Sequence, residues 1–131
     1  MNYNLPSHLS DLPIYKKAMD IIMLSRNIST YLNQDLAYLN GDGSEDNHIY
    51  LSGDIVQQST NLAPEIINAE RERFSDKKHK HLESLDQLTY RLYNNCERLE
   101  HSNSNGRDYL PILRGELKKF RKLQRSWMMT L

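Results

Sequence analysis

The chain has 131 residues, enough to bury one hydrophobic core without disulfide or metal staples. Its 5 Gly and 4 Pro are few for a turn-rich β fold, and its 17 basic and 17 acidic residues cancel. No stretch approaches the roughly 20 apolar residues that a membrane span needs. Cys96 excludes an internal disulfide and is expected to be a small buried hydrophobe. We therefore predict a single all-α domain over residues 1–131, in a reducing cytoplasm and away from the membrane.

The first predicted helix covers about residues 12–34 and follows an N-terminal extension over residues 1–10. Asp11 can cap the free N–H groups of this helix, and Pro13 falls in the first turn, where its missing N–H costs nothing. Apolar and small residues then recur at spacings near three and four, which places them on one stripe. The stripe consists of Tyr15, Ala18, Ile22, Ser25 or the adjacent Leu24, Ile28 and Leu32.

A mobile loop is predicted over residues 35–48, because residues 40–47 contain two glycines and no apolar side chain. The second helix, about residues 49–73, has the helical period again. Its stripe consists of Leu51, Ile55, Val56, Ser59, Leu62, Ala63, Ile66 and Ile67. Pro64 removes one backbone donor inside this helix, so we expect a kink between Thr60 and Pro64, with a complete break as the alternative.

The third helix covers about residues 76–101, with Ser75 as its cap, and its apolar stripe alternates spacings of three and four. That stripe consists of Leu82, Leu85, Thr89, Leu92, Cys96 and Leu99. The fourth helix, about residues 108–129, has Asp108 as its cap and Pro111 in its first turn. Its stripe consists of Leu110, Leu113, Leu117, Phe120, Gln124 and Trp127. Short connections make neighbouring helices antiparallel, which predicts an antiparallel up-down four-helix bundle.

Several apolar residues are predicted to lie off these stripes. They are Met19, Ile21, Met23, Tyr90, Tyr93, Met128, Met129 and Leu131. One isolated bundle cannot bury so many, and Tyr and Met are favoured at association surfaces. The sequence therefore indicates a homo-oligomer or a larger partner.

The sequence lacks the residue patterns of enzymes and metal centres. Gly-Asp-Gly at 41–43 has neither the preceding strand nor the Lys-Ser/Thr of a phosphate-binding loop. His79 and His81 lie two residues apart on a helix and so point in different directions, whereas a zinc site needs same-face pairs. The Glu-x-x-His pattern of di-iron bundles does not occur. We expect no catalytic residue, no metal and no cofactor, and a protein that binds other macromolecules.

Charge is unevenly distributed along the chain. Residues 1–50 have a net charge of −3, and residues 107–131 have a net charge of +5. The predicted nucleic-acid-binding residues are Arg114, Lys118, Arg121, Lys122 and Arg125 on the last helix, with Lys77, Lys78 and Lys80 at the start of the third. Such cations can neutralise nucleic-acid phosphates without reading sequence. The alternative is that they pair with acidic helices of their own chain or of a neighbouring subunit.

Short segments of the chain resemble one group of four-helix proteins. Residues 12–18 (LPIYKKA) are similar to the Leu-x-Val-aromatic-x-Lys-Ala opening of proteins encoded in ribosomal-RNA intervening sequences and of the accessory variability determinant proteins of diversity-generating retroelements. Pro64 lies where that superfamily has a proline in its second helix. The intervening-sequence branch continues there into Ser-Asn-Ile-Ala-Glu-Gly, whereas this chain continues without the Gly. Residues 70–74 (ERERF), the leucine-rich third helix and the basic last helix resemble the retroelement proteins more closely.

The resemblance, which covers about residues 12–128, implies a function. It implies a non-catalytic accessory subunit that forms a homopentamer, binds reverse transcriptase and template RNA or its cDNA, and supports mutagenic cDNA synthesis. Two alternatives stay open. One is an intervening-sequence-type bundle of undefined role, and the other is a structural bundle that binds proteins alone.

Overall fold

A computed structural model of the chain describes residues 7–36, 42–44, 48–102 and 104–131. Within these ranges every regular element is helical, which confirms the predicted all-α class. The elements in chain order are α1 (Ser7–Ser10), α2 (Pro13–Leu36), α3 (His48–Thr60), α4 (Leu62–Arg71), α5 (Ser75–Leu99), a 3-10 turn (Asn105–Tyr109) and α6 (Leu110–Met128). None of the helices described combines the length and the apolar character needed to cross a bilayer.

The second predicted helix is divided into α3 and α4, so the continuous helix over residues 49–73 is wrong and the alternative of a break is correct. Pro64 has no N–H to donate to the carbonyl of Thr60, which removes one bond of the helical ladder. Asn61 separates the two helices with φ −85° and ψ −6°, close to helical values. Its N–H still bonds to the carbonyl of Gln57 at 3.2 Å, so the interruption is confined to about one residue of the backbone.

The predicted caps of the third and fourth helices are also corrected. Phe74, not Ser75, occupies the N-cap position of α5, and its side chain cannot cap. The carboxylate of Glu72 accepts the N–H groups of Arg73 and Phe74, which precede the helix. Asp108 lies inside the 3-10 turn, where the acceptor is Ser104, whose Oγ accepts the N–H of Gly106 at 3.0 Å. Tyr109 occupies the N-cap position of α6, and, as at α5, its side chain forms no capping hydrogen bond.

The segments predicted as extension and loop are described only in part. Residues 7–10 of the predicted extension form α1, and α2 continues to Leu36, two residues past its predicted end. Of the predicted loop, Gly43 has a φ of +85°, a value that glycine adopts without strain. Residues 1–6, 37–41 and 45–47 lie outside the described ranges.

The core is built from the predicted stripes. The fully buried apolar residues of α5 and α6 include Leu85, Leu92, Cys96, Leu99, Leu110, Leu113, Leu117 and Phe120. Helix α2 packs against α3 and α6, and α5 packs against α3, α4 and α6. Ile21, predicted to lie off the stripe of α2, is fully buried, because the buried face of α2 contacts two neighbouring elements and is wider than a single line of residues.

Candidate nucleic-acid interface

The apolar stripe of α6 faces the core, and several of its cations face solvent. Its buried residues are Leu110, Leu113, Leu117, Phe120, Gln124 and Trp127. Lys118, Lys122 and Arg125, spaced by four and three residues, are exposed on the outside of the helix. None of these three forms an ion pair with any residue that the structure describes. We call this group the α6 cationic face.

Arg114 points toward α5 and is not part of this face. Its Nε lies 2.6 Å from Glu100 Oε2, and its Nη2 donates to Glu100 Oε1 at 2.8 Å. Nη1 donates to the hydroxyl of Tyr93 at 3.2 Å, and the guanidinium lies 5.6 Å from the centre of that ring. The hydrogen bond to Glu100, followed by the bond to Tyr93, raises the pKa of Arg114 above its ordinary value. Arg114 therefore forms part of the contact between α5 and α6.

Three further residues of α6, Arg121, Glu116 and Lys119, are occupied by ion pairs. Arg121 Nη2 lies 3.7 Å from Asp86 Oδ1 on α5. Glu116 contacts Lys119 and, across the interface with α2, Lys17, both at 3.1 Å. Hydrogen bonds from Lys119 and then from Lys17 lower the pKa of Glu116. Ion pairs thus fix α6 to α5 on one side and to α2 on the other.

The predicted cationic surface on the last helix is therefore divided in two. The alternative interpretation, pairing with acidic residues of the same chain, holds for Arg114 and Arg121. It does not hold for Lys118, Lys122 and Arg125, which extend from the side of α6 that no described helix covers. Periodicity alone could not separate the two groups, because the separation depends on which helix packs beside α6.

The lysines at the start of α5 lie in a different setting. Lys77 and Lys80 are exposed and Lys78 is half-buried. The Nζ of Lys77 lies 5.3 Å from the centre of the Phe74 ring, a cation–π distance. His79 lies beside Glu83 and His81 beside Glu65, at 3.1 and 3.4 Å, so the two imidazoles point to different partners as predicted.

The pairing of α5 with α6 places these lysines near the end of α6. Glu100, the C-cap residue that follows α5, meets Arg114, early in α6, whereas Asp86 meets Arg121. The two helices therefore run in opposite directions, and the first turns of α5 share an end of the molecule with the last turn of α6. Trp127 Nε1 donates to Glu70 Oε1 at 2.7 Å, which ties the end of α4 to the same place.

Two cations of this end were missed as site residues. Arg71 and Arg73 are exposed and lie in the ERERF segment of residues 70–74. Their position near the lysines follows from the tight turn between α4 and α5. The signal that could have found them is the density of charge, since five cations lie within residues 71–80.

Three observations bear on catalysis and metal binding in the described part of the chain. One groove, of about 610 Å³, holds no acid–base pair; it is lined by Leu24, Asn27, Ile28, Thr30, Tyr31, Gln34 and Tyr109. Cys96 is fully buried, and burial raises the pKa of its thiol to about 12, which leaves almost no thiolate at neutral pH. The described residues contain no group of three or more His, Cys, Asp or Glu placed to hold a metal ion.

Comparisons with known proteins identify no protein related to this chain. The chain matches no family model, no curated protein and no solved structure. The resemblance to the retroelement proteins is therefore limited to short segments of this chain.

Proposed function

We propose that the protein is a non-catalytic accessory subunit of a diversity-generating retroelement, which holds template RNA or its cDNA beside a reverse transcriptase in the cytoplasm. The observation that carries the proposal is the α6 cationic face, because three neighbouring cations without an acidic partner in the described chain suit a polyanion. Lys77, Lys78 and Lys80 extend the attraction at one end of the molecule. Affinity comes from charge and is independent of base sequence.

The proposed architecture is an antiparallel up-down four-helix bundle, in which α3 and α4 together form the second rod. The contact pattern supports it, since α2 meets α3 and α6, and α5 meets α4 and α6. Protomers of this kind associate into the homopentamer that the resemblance implies. Exposed Met19, Met23 and Tyr90 offer apolar surface for that association or for the polymerase.

Charge reversal tests the nucleic-acid site. The variant K118E/K122E/R125E should lose retention of a labelled single-stranded RNA, and the slope of log affinity against log salt should flatten by about 2, since each lost phosphate contact removes about 0.7. The matched control R26E/R91E/R98E reverses three exposed cations on other surfaces and should bind as the wild type does. Circular dichroism confirms folding of both. An unchanged slope in the first variant would refute the α6 cationic face as the site.

Co-purification tests the partner and separates the alternatives. A reverse transcriptase encoded beside this chain should remain bound after nuclease treatment if the contact between the two proteins is direct. Retention of other proteins with no nucleic acid at any stage would favour a purely protein-binding bundle. A solution mass equal to the monomer by light scattering would contradict the proposed homopentamer.

A further inference from the structure

The turn between α4 and α5 displays an aromatic ring to solvent. Phe74 is 63% exposed, although it is one of the two phenylalanines of the chain. The turn is held by its own hydrogen bonds, because Glu72 Oε1 accepts the N–H groups of Arg73 and Phe74, both at 3.1 Å. The N–H of Glu72 bonds in turn to the carbonyl of Asn68 at 3.0 Å. Backbone geometry therefore holds the start of the Phe74 side chain at the surface without help from packing.

The surroundings of this ring are strongly cationic. A single exposed apolar side chain is common and needs no explanation by itself. Here, however, residues 71–80 contain five cations against Glu72 and Asp76, a net charge of +3. Three of these cations lie in the first turns of α5, where the helix dipole disfavours positive charge. An exposed aromatic ring with Lys77 over it, 5.3 Å from its centre, and further cations on the same short segment is an arrangement that attracts bases and their phosphates together.

We propose that Phe74 is a stacking platform for one base of a single-stranded nucleic acid, with Lys77 and Arg73 neutralising the adjacent phosphates. This inference rests on the proposed function and adds a contact that charge alone does not supply. A duplex does not suit the platform, because its bases already stack on one another and offer no free face. A membrane surface suits it less well, because a helix that lies in a bilayer needs a continuous apolar face, and residues 75–80 of α5 contain no apolar side chain.

The platform predicts that removing the ring lowers affinity without changing the salt dependence. F74A should weaken binding of a 12-nucleotide mixed-sequence RNA about tenfold, within roughly five- to hundredfold, while the salt slope stays that of the wild type, since no phosphate contact is lost. F74L, which keeps an apolar side chain but has no π face, should lose as much. F74W should keep affinity within about threefold, and RNA should quench the emission of the added indole.

The controls separate this inference from the proposed function. Y50A removes another exposed aromatic, 65% exposed on α3, and should bind RNA as the wild type does. If F74A and F74L bind like the wild type while K118E/K122E/R125E loses RNA, the platform is wrong and the proposed site stands. If the triple reversal binds normally and F74A does not, the α6 cationic face is wrong and the platform stands. Failure of the wild-type protein to bind RNA overturns both.

Two other probes complete the test. Duplex RNA of the same length should bind equally to the wild type and to F74A, and an equal loss for duplex and single strand would overturn base stacking. Vesicles of phosphatidylcholine with 30% phosphatidylserine, a proportion of about one lipid in three, serve as the anionic surface. If F74A loses vesicle binding but keeps RNA binding, the ring is a lipid contact and the platform is overturned.

Discussion

Two helix interfaces of this molecule are built from different chemistry. Between α2 and α3, Ser25 Oγ lies 2.6 Å from Ser59 Oγ and Ser29 Oγ lies 2.8 Å from Ser52 Oγ. Between α5 and α6, fully buried leucines form the contact and ion pairs border it. Burial of a leucine contributes about 1.5–3 kcal/mol, whereas a hydroxyl pair contributes about 0.5–1.5 kcal/mol net. Each buried leucine of the α5–α6 interface therefore contributes more than one serine pair does, and the serine pairs fix how α3 aligns with α2.

The largest expected effect is at the leucine interface. Leu92 of α5 is fully buried, so L92A removes its transfer free energy and leaves a cavity, lowering the free energy of unfolding by about 2–5 kcal/mol. Urea denaturation followed by circular dichroism measures the change. L88A, at a half-buried position of the same helix, is the matched control and should cost less. If L92A and L88A lower the free energy of unfolding equally, then burial at Leu92 adds no packing stabilisation, and the interface is loosely packed.

Variants of the serine pairs should lose less stability, and the double variant should be more stable than the sum of the two single losses predicts. Ser59 Oγ donates to the carbonyl of Ile55 at 2.6 Å, so its single hydrogen is used and Ser25 must be the donor between the two hydroxyls. S59A leaves the buried Ser25 hydroxyl without its acceptor and should cost about 1–3 kcal/mol. The double variant S25A/S59A removes both groups and should recover part of that loss. If the two single-variant losses simply add, the pair is not coupled.

The sequence predicted the leucine stripes and placed Ser25 and Ser59 on buried stripes, but it gave no sign of the second serine pair, Ser29 with Ser52. Leu85, Leu92 and Leu99 recur at helical spacing, and large apolar side chains are buried wherever a helix meets a core. Ser52 is equally buried, but a hydroxyl has no hydropathic signal, and its burial depends on meeting Ser29 of another helix. The same limit applied to the candidate site, where pairing with Glu100 removed Arg114 from the predicted cationic surface.

The two ion pairs that border α5 and α6 should differ in strength. The side chains of Arg114 and Glu100 are 27% and 19% exposed and make two close contacts, whereas those of Arg121 and Asp86 are 43% and 62% exposed at 3.7 Å. A double-mutant cycle with R114Q and E100Q should give a coupling of about 1 kcal/mol, and the cycle with R121Q and D86N should give close to zero. Equal coupling energies would mean that the difference in exposure does not change the strength of the two ion pairs.

The smallest expected effect concerns the contact of α6 with α2 and depends on pH. Hydrogen bonds from Lys119 and Lys17 lower the pKa of Glu116 in the folded state below its ordinary value of 4.5. The unfolded chain therefore binds a proton at a higher pH than the folded protein does, so this contribution is complete above the unfolded pKa and is lost as pH falls through the folded pKa. E116Q lacks the titrating group, and the free energy of unfolding should differ from wild type by about 1 kcal/mol or less at neutral pH.

The way in which the stability difference between the wild type and E116Q varies with pH is more informative than its size at neutral pH. Between pH 7 and about pH 5.5 the gap between the wild type and E116Q should stay constant, and below the ordinary value of 4.5 it should close as the wild type gains its proton. D54N removes an exposed carboxylate that has no ion pair with any described residue, and it should not reproduce this closure. A gap that persists into the acid range would mean that Lys17 and Lys119 do not hold the carboxylate ionised. In that case apolar packing, and not the ion pairs of Glu116, would hold α6 against α2.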